Sequence, residues 1–158
     1  MKASQRIEQD EPVSYAALAI GECHYAIRAM ELDAVVPLLA LARVPSSNDV
    51  FLGIGAPRGR LVAIFDPRGV LGCATPDRSS RWLALVRGHG AVALAFTDLD
   101  GFLAVNAGEL RRSANDDALA PHSLQYFTHG PVSRRVLSLP SLLAALRAQR
   151  TPLRSVRP

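Results

Sequence analysis

The chain has 158 residues, 49% of them apolar and 20% charged, with a mean hydropathy of +0.13. A mostly disordered chain carries far less apolar material, so this one folds, as one ordinary domain or as two small lobes on a shared core. The net charge of +4 comes from Arg147, Arg150, Arg154 and Arg157 in the last twelve residues, where no acid stands; basicity confined to a tail argues against a nucleic-acid-binding face.

Residues 1–12 are polar and end at Pro12, which predicts a loosely attached N-terminus without a secretory leader and hence a cytoplasmic protein. Short apolar segments separated by Gly, Pro, Asp and Ser clusters follow, the pattern of an all-β chain. Residues 13–20 and 23–27 read as a hairpin turning at Gly21-Glu22. Residues 28–36 read as a helical turn or a bent strand. The greasiest stretch, residues 32–42, is interrupted by Asp33 and Pro37 and falls short of the roughly 18–20 apolar residues of a membrane span. Residues 50–55 and 60–65 flank a four-residue turn, Ala56-Pro57-Arg58-Gly59, in which Pro57 has its φ preset and Gly59 supplies an unusual dihedral. Asp66-Pro67 reads as the start of a short helix ending near Leu71-Gly72, because Asp66 can accept from free backbone amides and Pro67 loses no needed donor.

After a polar linker over residues 74–80 the pattern restarts. Residues 81–86 and 91–96 flank Gly88-His89-Gly90, and residues 101–105 form a strand. A polar loop over residues 111–121 holds Asp116 and Asp117. Residues 124–129 and 135–139 bracket Gly130, and Pro140 opens a helix over residues 141–149 with Arg147 and Arg150 in its last turn, where cations suit the carbonyl end. The two halves share one grammar: hairpin, strand, loop, hairpin and a closing helix. This predicts a mostly β fold of two small five-stranded, SH3-like barrels with short helices, each closing its own edges.

Catalytic chemistry does not assemble along the sequence. No HExxH, GxSxG or phosphate-loop signature occurs. Gly53, Gly55 and Gly59 miss the dinucleotide fingerprint by one position and join two strands. His24, His89, His122 and His129 are far apart with no ligand-like spacing, so neither a metal nor a cofactor is expected. Asp98 and Asp100 read as turn chemistry around Gly101. Cys23 and Cys73 belong to no CxxC pair and read as free cysteines buried as small hydrophobes. The aromatic residues stand among apolar neighbours, which is core packing and not a base-stacking surface.

Tyr25-Ala26-Ile27, Val44-Pro45, Gly53-Ile54, the run from Arg58-Gly59-Arg60-Leu61-Val62 through Ile64-Phe65-Asp66, and Leu71-Gly72 together resemble CheW-like domains. The resemblance covers about residues 13–146, with subdomains over about 13–73 and 81–146, intertwined, and a basic tail over 147–158. It implies two five-stranded barrels on a shared apolar seam, no catalytic activity and no cofactor. It also implies two partners: the regulatory domain of a CheA-type histidine kinase and the cytoplasmic tip of a methyl-accepting chemoreceptor. Neither a nucleic acid nor a membrane span belongs to that picture.

In the family the receptor is gripped in the groove between the barrels, by the Arg of the Arg-Gly turn. That position is Arg58 here, followed by Gly59, with Ile54, Val62 and Val35 expected as the apolar floor. A guanidinium on a stiff turn suits carboxylate recognition. Several positions depart from the pattern. Ala56-Pro57 replaces Asn-Leu, Ala63 replaces Pro, and Pro67 replaces Leu. A frequent Glu that pairs with the turn Arg falls at Ala34, leaving Glu31 or Asp33 as substitutes. Such divergence fits a specialised array, for instance one controlling type IV pili, or an adaptor that takes another polar or pilus protein.

Overall fold

The structure of the protein, a computed structural model, describes residues 11–73, 80–113 and 122–149. The N-terminal segment to residue 10, most of the 74–80 linker, Asp116, Asp117, Arg150, Arg154 and Arg157 lie outside the described residues.

Alternation shapes the first hairpin. In β1 (Val13–Ile20), Ala16, Leu18 and Ile20 face one side and Tyr15 the other, and Gly21 at φ 63° turns the chain into β2 (Cys23–Arg28). The ambiguous segment after it is both things it resembled: a 3-10 turn, Ala29–Glu31, and then β3 (Leu32–Pro37). The hairpin of β4 (Phe51–Gly55) and β5 (Val62–Phe65) carries the 3-10 turn Pro57–Gly59 at its tip. In β4, Gly53 sits at φ 148°, and a Cβ there would run into the carbonyl of Ala42, which is bridged to Ile54, so the position calls for glycine. Asp66 Oδ1 accepts from the Arg68 backbone N–H at 3.0 Å and so starts α1 (Arg68–Leu71), which Gly72 ends at φ 74°.

Next come β6 (Trp82–Val86), β7 (Val92–Phe96), β8 (Asp98–Val105) and the two-residue β9 (Arg111–Arg112). The chain closes with β10 (Gln125–His129), β11 (Val132–Val136) and α2 (Leu139–Ala148). The last helix starts at Leu139 and not at 141, since Pro140 is tolerated in a first turn whose amides have no partner anyway.

The strands form two sheets. One is six-stranded in the order β8-β1-β2-β11-β10-β9; the other is five-stranded in the order β3-β6-β7-β5-β4. Neither sheet coincides with residues 13–73 or 81–146. The six-stranded sheet takes its strands from both ends of the chain, joined where β11 runs parallel to β2, and the five-stranded sheet joins its two antiparallel halves where β5 runs parallel to β7. Among the described residues no ladder joins β8 to β9 or β3 to β4.

Each sheet carries a buried apolar cluster on both faces. Tyr15, Ala26, Val105, Phe127 and Val136 make a small cluster on one side of the six-stranded sheet, with the Tyr15 and Phe127 rings 5.4 Å apart. Val62, Ile64, Leu83, Ala93 and Ala95 do the same for the five-stranded sheet. Between the sheets lies the largest core, built from Leu18, Ile20, Tyr25 and Ile27 on one side and Ala84, Val86, Leu94 and Phe96 on the other, and sealed by Leu139, Leu142, Leu143 and Leu146 of α2. This is the apolar seam, and alternation along β1 and β7 is what supplies it.

Two sequence readings are corrected. Cys23 and Cys73 are not free: they form a disulfide with Cα atoms 6.3 Å apart. Their separation of 50 residues carries no local signal, and only the packing of the residue after α1 against the start of β2 brings them together. Asp98 and Asp100 are not turn residues. They lie in β8, where Gly101 at φ 120° accommodates a bulge opposite Ala17 and Leu18. Asp98 pairs with Arg81, and Asp100 accepts from the buried Arg134 at 2.7 Å.

Candidate functional site

The turn at the tip of the β4–β5 hairpin is held by two backbone bonds, Gly59 N–H to the Ala56 carbonyl and Arg60 N–H to the Pro57 carbonyl, both 3.2 Å. The unusual dihedral expected of Gly59 (φ 76°) is shared by Arg58, at φ 55° and ψ 28°. Arg58 is the only non-glycine residue with positive φ among the described residues. A side chain in the left-handed region costs roughly 1–2 kcal/mol, and such strain gathers at functional positions.

Arg58 stands over a groove of about 110 Å³ where β3, the hairpin tip and the ends of β6 and β7 meet. Val62, Val86 and Val92 form its buried apolar part, and Ala34 and Leu85 come from the β3–β6 pair, in which they are register partners. Arg58 and Arg60 are exposed on its rim, and among the described residues neither guanidinium has an ion pair or hydrogen bond. Asp33 is also on the wall, but its carboxylate is taken by Arg87 Nε at 2.9 Å. The groove is therefore cationic, with two arginines left for a partner.

Of the five residues expected here, the structure brings Arg58 and Val62 to the groove and places Gly59 in the turn above it. Val35 packs into the seam, since strand neighbours point to opposite faces; Ala34 takes the groove side instead. Ile54 pairs with Ala63 and Ala42 and is not part of the wall. Ala34, where the pairing Glu was expected, does share the groove with Arg58, and its methyl leaves the guanidinium uncompensated. Neither substitute fills that role. Asp33 is held by Arg87, and Glu31 faces a different cavity with its Oε2 buried and, among the described residues, without a hydrogen-bond partner.

That second cavity, about 470 Å³, is lined by Arg28, Glu31, Arg112, Ser138 and Pro140 among others. Near it the fold makes one contact the sequence did not reveal: His122 Nδ1 lies 2.7 Å from the Ser141 hydroxyl in the first turn of α2. Burial holds the His122 pKa below its ordinary value, so the ring is neutral near pH 7. Among the described residues no third group orients the ring, and the pair reads as a tie between the preceding segment and the helix. No group of three or more His, Cys, Asp or Glu side chains gathers among the described residues.

Two sheets on one seam, with an arginine turn above a small cationic groove, describe a two-sheet β module. The chain belongs to the CheW-like domain family, whose model matches residues 15–146. Its fold is similar to that of the scaffolding protein TtCheW from Thermoanaerobacter tengcongensis, at a TM-score of 0.71 and 13% identity, covering 80% of this chain and 88% of that one. No curated protein matches the sequence. No helix among the described residues is long and apolar enough to cross a membrane.

Proposed function

We propose that the protein is a non-catalytic cytoplasmic adaptor of a chemosensory array, coupling a chemoreceptor tip to the regulatory domain of a CheA-type histidine kinase. Family membership over residues 15–146 supports the adaptor role. The observation that carries the docking site is Arg58: strained, exposed and, among the described residues, without a counter-charge at the rim of an apolar groove. A carboxylate on the partner supplies the missing charge in a bidentate pair, while Val62 and Val92 bury an aliphatic neighbour and keep water from the contact.

The test is binding of full-length protein, wild type and Arg58→Glu, to the kinase regulatory domain and to a receptor cytoplasmic fragment. Receptor affinity is expected to fall by at least about tenfold, since reversing a central charge places like charges together, while circular dichroism stays unchanged. Unaltered binding of both partners by folded Arg58→Glu removes Arg58 from the site. A second reading, an adaptor whose groove takes another polar or pilus protein, is favoured by Ala34 and by the Ala56-Pro57 approach to the turn. Capture of such a protein with neither kinase nor receptor selects it.

A further inference from the structure

The Cys23–Cys73 disulfide joins parts of the chain that serve different sheets. Cys23 opens β2 inside the six-stranded sheet, and Cys73 follows the helix that leaves β5 of the five-stranded one. The loop it closes holds β3, β4, the Arg58 turn and β5.

The two sulfurs stand in unequal surroundings. Cys23 is half-buried beside the exposed Glu22, whereas Cys73 is 5% exposed within the seam. The Tyr25 hydroxyl lies 3.2 Å from Cys73 Sγ. Burial pushes the Tyr25 pKa up, so the hydroxyl keeps its proton at neutral pH and can donate it in a hydrogen bond.

We propose that Cys23 and Cys73 form a reversible thiol–disulfide switch, with Cys23 as the sulfur that exchanges with small thiols and Cys73 as the leaving sulfur. A thiolate of the glutathione class attacks Cys23 Sγ. The S–S bond breaks, its electron pair goes to Cys73 Sγ, and the Tyr25 O–H stabilises that thiolate by donating to it. A second small thiolate attacks the mixed disulfide at the small molecule's sulfur. It releases the oxidised small-molecule disulfide and leaves Cys23 as a thiolate, and both cysteines take protons from water. Oxidation is the reverse, with the small-molecule disulfide as the two-electron oxidant. In a reducing compartment such a pair rests as thiols and closes when the oxidant rises. The reduced protein keeps its fold because a Cys73 thiol still fits the seam as a small hydrophobe.

The test equilibrates full-length protein at neutral pH in glutathione buffers from mostly reduced to mostly oxidised, alkylates the free thiols and reads the mass. The expected result is one passage from two alkylated cysteines to none, with circular dichroism unchanged. Cys73→Ser is expected to take up one glutathione on Cys23, whereas folded Cys23→Ser leaves Cys73 without an adduct. Tyr25→Phe is expected to slow reduction by dithiothreitol several-fold. A protein locked in one redox state across the whole series overturns the proposal, as does an adduct on Cys73 in place of Cys23. Reduction of folded Tyr25→Phe at the wild-type rate overturns the assignment of Cys73 as the stabilised leaving sulfur.

Discussion

Arg58 meets two opposed demands, backbone comfort and side-chain chemistry. Its φ of 55° and ψ of 28° suit glycine, and among the described residues no hydrogen bond or ion pair of its guanidinium offsets the strain. Arg58→Gly is therefore expected to leave stability unchanged or raise it by up to about 1 kcal/mol, the left-handed relief being partly offset by glycine's added freedom in the unfolded chain. Urea unfolding measures it, and a loss above about 1 kcal/mol would assign the side chain a structural role. Arg134 presents the contrary case. Its side chain is 7% exposed; Nη1 donates to the Leu18 and Tyr25 carbonyls at 3.3 and 3.4 Å, and Nη2 to Asp100 at 2.7 Å. Arg134→Met keeps the apolar stem but strips donors from two strand carbonyls, and is expected to cost about 2–3 kcal/mol. Asp100 is 38% exposed, where solvent screens its charge, so Asp100→Asn is expected to cost under about 1 kcal/mol. Chemical denaturation of both variants decides whether the burial of the arginine, and not the ion pair alone, holds β11 against β1 and β2.

Elements form for local reasons and are positioned for distant ones. The hairpins and both helices were legible because Gly21, Gly59, Gly72 and Gly130 and the prolines near them act within a few residues of themselves. Boundaries moved: the last helix begins at Leu139 and not at 141, and β11 begins at Val132 and not at 135, because Gly130 at φ 59° reverses the chain more tightly than the sequence suggested. Partners across the fold were not legible. Arg81 with Asp98, Arg134 with Asp100 and Cys23 with Cys73 meet only after the sheets pack, and nothing in their spacing announces it. The candidate site divides the same way: Arg58 and Gly59 belong to one turn and could be read, whereas Ala34, Leu85 and Val92 arrive from three strands. The tie between His122 and Ser141 makes a prediction for α2. Burial lowers the folded-state pKa of His122 from 6.5, while the unfolded chain keeps the ordinary value. Below about pH 6.5 the unfolded chain therefore binds a proton that the folded chain refuses, so stability is full above that pH and falls as the pH drops toward the folded pKa. His122→Gln is expected to flatten the stability profile just below pH 6.5; a profile with the wild-type slope would mean that His122 is equally solvated in both states.

At the scale of the whole molecule the question is whether the two sheets are two cooperative units or one. Each has a small core of its own, which on its face argues for separable lobes. Three observations argue the other way. The largest core lies between the sheets, the six-stranded sheet is completed only by strands from both ends of the chain, and α2 seals the seam instead of either lobe. A lobe unfolding alone would expose the seam faces of its own strands and those of its neighbour, so local opening is nearly as costly as complete unfolding. Leu142, fully buried in that seam, is the position at which to test this. Leu142→Ala is expected to lower global stability by about 2–5 kcal/mol through lost burial and the cavity left behind. The single tryptophan, Trp82, stands on β6 of the five-stranded sheet, and the amides of Ala17 and Ala26 lie in β1 and β2 of the other. One cooperative unit requires Trp82 fluorescence and amide exchange at Ala17 and Ala26 to report the same loss in the variant. Separable lobes would let one probe move while the other stayed at its wild-type value, and that outcome would also free the groove beside Arg58 from the seam that now fixes its walls.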